Sequence, residues 1–366
     1  MEDAKKECEA FFGIGRWANS FYIIGNNATA LGDAKKECEA FFGIGRWANS
    51  FYIIGNNATA LEDAKKECEA FFGIGRWANS FYLIGCRRQK PCPAKGEQLM
   101  GNENSVECSI IIESLEQLCA PVFAESWDNV GLLAGRRDKQ VKKICIALDA
   151  TDEVVEEAVR NGADMLLTHH PLIFSPMKKI NTDDFIGRRL VQLIGHDISY
   201  YAMHTNFDVM GMADAAADEI RLKDRHVLSI TYEDEIAKEG IGRYGRLPQV
   251  MTLEECASYV KDVFHLESIK IYGDRSMAIE CAAVSPGSGK SMIRPAVEAG
   301  AEVLITGDIE HHEGLDAMAQ GLAVIDAGHF GLEKIFVPYM MEYIRREFPQ
   351  IAVFAAREKN PFWVMV

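Results

Sequence analysis

Two adjacent histidines, His169 and His170, stand where a buried strand should end. The apolar run Met165 to Leu167 before them is typical of a strand buried on both faces of a parallel sheet, and Pro171 prevents its simple continuation. Open α/β folds place their sites at the carboxyl ends of such strands. Because neighbouring side chains on an extended backbone point opposite ways, the pair suits two metal ions better than one. A hydrogen-bonded surface pair without metal is the alternative.

Two further clusters offer ligands of the same kind. Asp208 follows the apolar strand predicted at Ile198 to Met203, and His329 and Glu333 follow another apolar segment. If a helix begins near Phe330, His329 and Glu333 lie four residues apart and can face one point; a capping interaction is the alternative. Imidazole and carboxylate ligands suit zinc, manganese or iron rather than calcium, and carboxylates can bridge two ions in a hydrolytic centre. The candidate metal ligands are His169, His170, Asp208, His329 and Glu333.

The elements that must position these residues follow a regular α/β pattern. Thr151 should cap a helix that ends near Gly162, and a second helix is predicted from Asp183 to Ile194 with Thr182 as its cap. The later half repeats this plan, because Asn161 to Thr168 matches Ala299 to Thr306 position by position. The pattern predicts two similar α/β lobes. Asp308, His311 and His312 follow the second of the matching strands, as His169 and His170 follow the first.

Composition limits the class of protein. The chain has 366 residues, 48% of them hydrophobic and 25% charged, with a formal net charge of −15. Nonspecific nucleic-acid binding is therefore unlikely, because phosphate neutralisation requires a basic face. No apolar run approaches the ~18 residues of a membrane helix, and no secretory signal is visible at Met1 to Glu7. We expect a cytoplasmic protein with no membrane segment, whose ten scattered cysteines are reduced.

The amino-terminal region, residues 1–85, consists of three near-identical units with a period of 30 residues. Each unit contains a predicted helix, Ala4 to Phe12 in the first copy, so that the segment should be mostly helical. A self-associating or partner-binding array is one interpretation of these repeats, and a duplication artefact is the other. Residues 86–108 form a basic linker rich in proline and glycine, and residues 109–366 form the metal-centre domain.

A glycine-rich turn at Ser285 to Ser291 is similar to a phosphate-binding loop. Val284 stands where the full pattern needs its first glycine, so the loop is not a true match. Backbone donors in such a turn can still bind an anion. Gly287, Gly289 and Lys290 are therefore candidate substrate-binding residues, and a plain tight turn is the alternative.

Residues 106–366 resemble the Nif-three-like dinuclear metal-centre proteins, whose members are often called GTP cyclohydrolase 1 type 2 homologues. The resemblance rests on four motifs in the order of the family: Glu125 to Leu132, Thr168 to Phe174, His204 to Asp208, and Asp326 to Lys334. It implies two α/β lobes with two metals in the cleft between them, and a homohexamer. It also implies ligation by the same five residues that position and chemistry indicate. The repeats have no counterpart in the family.

Two functions follow from this resemblance. The first is a metal-dependent hydrolase of a nucleotide or phosphoester, GTP cyclohydrolase-like, holding two divalent ions of zinc, manganese or iron. Glu333, His204 and His312 are its candidate catalytic residues; His204 and His312 either shuttle protons or hydrogen-bond to the ligands. The second is a metal-binding scaffold, metal chaperone or regulatory adaptor without catalysis. Five ligands for two metals leave coordination positions open, which favours the hydrolase.

Overall fold

The computed structural model describes residues 104–233 and 237–365 in full, together with the backbone of four strands nearer the amino terminus. The chain divides into two compact units, Met1–Leu99 and Met100–Val366. The four strands of the first unit are β1 (Gly13–Trp17), β2 (Ser20–Ile24), β3 (Ser50–Gly55) and β4 (Ser80–Gly85).

The strands of the first unit pair in chain order. Strands β1 and β2 are antiparallel, whereas β2, β3 and β4 run parallel and place the same repeat position side by side: Ser20 pairs with Ser50, and Ser50 with Ser80. The helices predicted in the repeats, such as Ala4 to Phe12, lie outside the described residues. The described parts of the repeats are therefore strands, and the helical prediction remains a prediction.

The second unit alternates strands and helices, which confirms the predicted α/β class. Its strands are β5 (Val106–Glu107), β6 (Gly131–Ala134), β7 (Gln140–Val141), β8 (Lys143–Ala147), β9 (Met165–Thr168), β10 (Ser199–Ala202), β11 (Lys223–Glu233), β12 (Lys238–Thr252), β13 (Lys270–Tyr272), β14 (Ala278–Ser288), β15 (Val303–Gly307), β16 (Ala323–Asp326) and β17 (Ala352–Ala355). Its helices are α1 (Cys108–Leu118), α2 (Asp152–Arg160), α3 (Phe185–Gly195), α4 (Thr205–Phe207), α5 (Ala213–Glu219), α6 (Leu253–Val263), α7 (Ile293–Glu298), α8 (His311–Ala319), α9 (His329–Glu333) and α10 (Phe336–Glu347). Three shorter turns complete it: 3₁₀ turns at Pro121–Phe123 and Lys290–Met292, and a π-helical turn at Asp208–Met212.

Two larger sheets organise this unit. One has the strand order β17-β8-β9-β10-β6, with β6 antiparallel to its neighbour and the other neighbours parallel. The other has the order β11-β12-β14-β15-β16-β13, and its central strands β14, β15 and β16 are parallel. Strands β5 and β7 form a separate short pair.

Both faces of the first sheet are buried. Ile144, Ile146 and Leu167 pack into the cluster that contains α1 and α10. Cys145 and Leu166 pack on the opposite face into the cluster that contains α2 and α3. The alternation of side chains along each strand thus divides a continuous apolar run between two cores, as expected for a sheet covered by helices on both sides.

The internal repeat predicted from sequence has a matching hydrogen-bond pattern. The Asp164 carboxylate, just before β9, accepts the backbone N–H groups of Lys142 and Lys143 at 2.7 and 3.0 Å. Glu302, just before β15, accepts those of Glu280 and Cys281 at 2.5 and 2.9 Å. In both halves of the unit, the acidic residue before one strand therefore hydrogen-bonds to the backbone near the start of the parallel neighbouring strand.

Two helix starts can be compared with their predictions. The predicted cap at Thr151 is confirmed, since its hydroxyl accepts the N–H of Val154 at 3.2 Å. The predicted cap at Thr182 is wrong: helix α3 begins at Phe185, because the Asp184 side chain accepts the N–H of Gly187 at 2.9 Å. Within the described ranges, no helix combines the length and apolar character needed to cross a membrane.

Candidate metal centre

The candidate ligands lie at the ends of strands from both larger sheets. His169 and His170 follow β9 directly, and Asp208 lies just beyond the short helix α4 that follows β10. His329 and Glu333 are the first and last residues of α9, which follows β16. The structure therefore brings together all five residues singled out from the sequence, and it adds His204 to the group.

Each of four histidines in this centre is held in position through its own Nδ1 atom. The Nδ1 atom of each lies within hydrogen-bond distance of an oxygen, and that oxygen orients the ring so that Nε2 is left for a cation. The pairs are His169 with the Met203 carbonyl at 2.7 Å, His170 with Asp149 at 2.8 Å, His204 with Asp128 at 2.8 Å, and His329 with Asp308 at 2.7 Å.

The Nε2 atoms of three of these histidines converge on Glu333. The Nε2 atoms of His170 and His329 each lie 3.0 Å from Glu333 Oε2, and 3.3 Å from each other. His169 Nε2 lies 3.7 Å from the other carboxylate oxygen, Oε1, and 3.5 Å from Asp208 Oδ1. Glu333 therefore presents a different oxygen to each of two groups of side chains.

Several atoms at the centre are buried without a well-formed hydrogen bond, although other side chains of the centre lie close to them. His169 is fully buried and Glu333 is 2% exposed. Among the described residues, His169 Nε2, Asp208 Oδ1 and Glu333 Oε2 are buried atoms that make no hydrogen bond of acceptable geometry. An unpaired buried acceptor is costly, so these atoms fit a site whose missing partner is a cation.

The pKa values of the side chains in the metal-free centre also fit a cation site. Burial and the negative charge of Glu333 raise the pKa of Asp208 to about 7. Burial also acts to raise the pKa of Glu333, but the surrounding imidazoles hold that pKa well below its usual range. Despite burial, hydrogen bonds to carboxylates raise the pKa of His170 to about 10 and that of His329 to about 9. The centre therefore retains positive charge as protons, which a metal ion would replace on binding.

The glycine-rich turn lies against this centre. Gly287 has φ +82°, and a Cβ atom built on it would lie 2.7 Å from Glu333 Oε1. Only glycine allows the backbone to come this close to the carboxylate. The Lys290 side chain is 73% exposed and pairs with Glu313 at 2.9 Å, whereas a Cβ on Gly289 would collide with the side chain of Thr306. The turn thus contacts the centre through Gly287.

His312 is placed differently from the other candidates. It is exposed in the first turn of α8, and no cluster of metal-ligating side chains within the described ranges includes it. Sequence reasoning noted Asp308 and the motif that contains Asp128, but it assigned no role to the three carboxylates that hold the histidines: Asp128, Asp149 and Asp308. Asp149 and Asp308 each follow a predicted strand closely, so their position at a strand end was the available signal.

Comparison with known proteins places the chain among relatives. The family model Duf34/NIF3 (NGG1p interacting factor 3) matches residues 106–361. The chain belongs to the Duf34/NIF3 family. This membership confirms the resemblance drawn from the four sequence motifs, three of which supply residues of the centre.

Individual members of the Duf34/NIF3 family align over the same region. A Clostridium perfringens protein named GTP cyclohydrolase 1 type 2 homolog is 34% identical over 256 residues, covering 69% of this chain and 97% of that protein. The crystal structure of Staphylococcus aureus protein SA1388 is 30% identical with a TM-score of 0.64, covering 71% of this chain and 99% of that one. A Bacillus cereus protein related to NIF3 shares the fold, with a TM-score of 0.67, 24% identity, and coverage of 72% of this chain and 100% of that one.

Proposed function

We propose that this NIF3-family protein is a metal-dependent hydrolase with a dinuclear centre that acts on a nucleotide or phosphoester. The observation that carries the proposal is the sharing of Glu333. Its Oε1 lies 3.7 Å from His169 Nε2, which is itself 3.5 Å from Asp208, and its Oε2 lies 3.0 Å from both His170 and His329. A carboxylate with separate candidate ligands near each of its oxygens would allow these residues to hold two ions.

The donor set fits divalent transition metals. Imidazole and carboxylate ligands suit zinc, manganese or iron. The ions would be held by His169 and Asp208 on one side, by His170 and His329 on the other, and by Glu333 between them. When bound, such ions would lower the pKa of a bound water molecule toward neutrality and polarise a phosphoryl or carbonyl oxygen of the substrate.

The residues around the centre have roles of their own. Asp149, Asp128 and Asp308 fix the orientation of three imidazoles, which keeps their Nε2 atoms directed at the centre. His204 is 15% exposed and shares the cluster of His169 and His170. It is therefore the candidate to hold or move a proton at its Nε2 atom, with Asp128 stabilising the charged ring.

The name shared by the relatives suggests the substrate class. GTP is the first compound to test, followed by simple phosphoesters. We also propose, from family membership, that residues 109–366 form two lobes with the centre in the cleft between them, that the protein is cytoplasmic, and that it assembles as a homohexamer.

The test is turnover by stripped and reloaded protein. The chain is freed of metal with a chelator, reloaded with zinc, manganese or iron, and assayed with GTP and a phosphodiester. Glu333→Gln should lower the rate at least ~100-fold, because it removes the charge of the bridging carboxylate and retains its size. Glu298→Gln is the matched control, since Glu298 is exposed and pairs only with Arg294 on α7.

Two results would contradict a hydrolase whose chemistry takes place at this centre. Metal binding without turnover on any substrate would support the alternative, a metal-binding scaffold, metal chaperone or regulatory adaptor. Turnover that is unchanged in Glu333→Gln would place the chemistry elsewhere, and the turn at Gly287 would be examined next.

A further inference from the structure

Two aromatic side chains stand exposed beside the metal centre. Trp127 is 57% exposed and Phe174 is 54% exposed, with their ring centroids 5.7 Å apart. Each also contacts the imidazole of His204, at centroid distances of 6.0 and 6.2 Å. The three rings therefore form one group, of which only His204 is largely covered.

The group is continuous with the candidate metal ligands. The His204 ring lies 5.3 Å from that of His169 and 5.5 Å from that of His170. The imidazole of His204 thus lies between the aromatic pair and the candidate ligands His169 and His170. A ligand with its polar end at the centre would have its next atoms within reach of Trp127 and Phe174.

Hydrogen bonds hold the loop segments that flank the two rings. Asp128, the neighbour of Trp127, is fully buried and accepts from Thr205 Oγ1 at 2.5 Å while pairing with His204. Asn129 donates to the carbonyl of Ile173, the neighbour of Phe174, at 2.6 Å. The loops that carry the rings are therefore hydrogen-bonded to each other, and one of them is hydrogen-bonded to His204 and Thr205 beside the centre.

This fixation indicates a ligand rather than accidental exposure. Large exposed rings favour burial, and rings carried on hydrogen-bonded loops require less ordering of the backbone when a ligand covers them. Aromatic rings also stack on any flat π-system without requiring a particular hydrogen-bond pattern. A flat ring is the ligand surface that such a pair covers best.

We propose that Trp127 and Phe174 form a stacking platform for the planar heteroaromatic ring of a ligand, of the nucleobase class, whose polar end lies at the metal centre. This inference rests on the proposed function for its polar end. The inference identifies the ring as the part of the ligand that the protein recognises away from the metal ions. Simple alkyl phosphoesters would lack that contact.

The test compares two ligands of similar charge, one with a ring and one without. GTP and inorganic triphosphate are titrated calorimetrically into the full-length, metal-loaded chain. Trp127→Ala and Phe174→Ala should each weaken GTP binding about 5- to 150-fold, the range for loss of a stacking ring, and leave triphosphate binding unchanged. Trp127→Phe should retain most of the affinity, because it keeps a π-face.

Controls separate stacking from structural damage. Phe185→Ala removes another exposed ring, 53% exposed and next to Arg189, and should change neither titration. Metal content and circular dichroism of each variant report whether the centre and fold survive. Because the readout is binding and not turnover, a protein that binds GTP through these rings but does not hydrolyse it would contradict only the proposed hydrolase.

Several results would overturn the platform. Equal loss of GTP and triphosphate binding would mean that the rings position the centre instead of contacting a ligand ring. The platform would also be refuted if the wild-type protein bound GTP no more tightly than triphosphate, because the nucleobase would then add no affinity. Unchanged GTP binding combined with an altered oligomeric state in Trp127→Ala would assign the rings to a contact between copies of the chain.

Discussion

Substitution of Gly287 by alanine tests whether the glycine-rich turn shapes the metal centre. The added Cβ would lie 2.7 Å from Glu333 Oε1, whereas ordinary contacts begin at 3.4 Å. The carboxylate must therefore move by roughly 0.7 Å, more than the ~0.5 Å within which functional groups are held in working sites. Since Glu333 faces both groups of ligands, we expect metal affinity to fall about 10- to 100-fold.

A matched control removes the effect of backbone strain. Gly300 has φ +72°, close to the +82° of Gly287, but a Cβ added to it would have no neighbouring atom within 4 Å. Both alanine variants should lose about 1 kcal/mol of stability from the left-handed conformation, a decrease of about 2–4 °C in melting temperature. Only Gly287→Ala should lose metal affinity.

The assay is metal titration by calorimetry beside thermal unfolding of the metal-free protein. Equal metal affinity in the two variants would refute the reasoning, because the steric contact with Glu333 would then have no consequence. A Gly300→Ala variant that also lost metal would show that strain, and not the Cβ contact, disturbs the centre.

Three further predictions concern metal content and stability. Elemental analysis after dialysis should find about two transition-metal ions per wild-type chain, and a double variant, His169→Ala with Asp208→Ala, should lose most of them; full retention would exclude this ligand assignment. A chain that begins at Asn104 should fold and bind metal as the full chain does, because every candidate ligand lies after that residue; an insoluble or metal-free product would place the repeats in the core. Asp164→Ala and Glu302→Ala should each lower the free energy of unfolding by about 1–2 kcal/mol, since each carboxylate accepts two backbone N–H groups; a loss in only one variant would argue against equivalent roles.

Local chemistry made much of the fold predictable. The apolar run before His169 is short, lies between helix-like segments and ends near a proline, which leaves a buried parallel strand as the consistent interpretation. The match between Asn161 to Thr168 and Ala299 to Thr306 predicted equivalent strands, and Asp164 and Glu302 make equivalent hydrogen bonds. Patterns of this kind depend on neighbours in the chain, so they can be read from the sequence.

The positions of the candidate ligands were also predictable as strand ends, but their partners were not. His204 could be identified as a residue of interest, yet its pairing with Asp128 joins positions 76 residues apart. The same holds for His329 and His170, which are 159 residues apart in the chain and 3.3 Å apart in space. Such contacts depend on how the two sheets meet, and no local pattern encodes that.

Tertiary structure likewise decided the exposure and the contacts of individual side chains. His312 and His170 occupy similar positions after matching strands, but His312 is exposed on α8 and His170 lies at the centre. The sequence predicted Gly287 as part of an anion-binding turn, and packing also places it against the Glu333 carboxylate. The sequence by itself therefore determined which residues stand at strand ends with the chemistry to bind metal. Only the packing of distant elements decided which of them converge, because convergence is set by burial and by the hydrogen bonds that orient each ring.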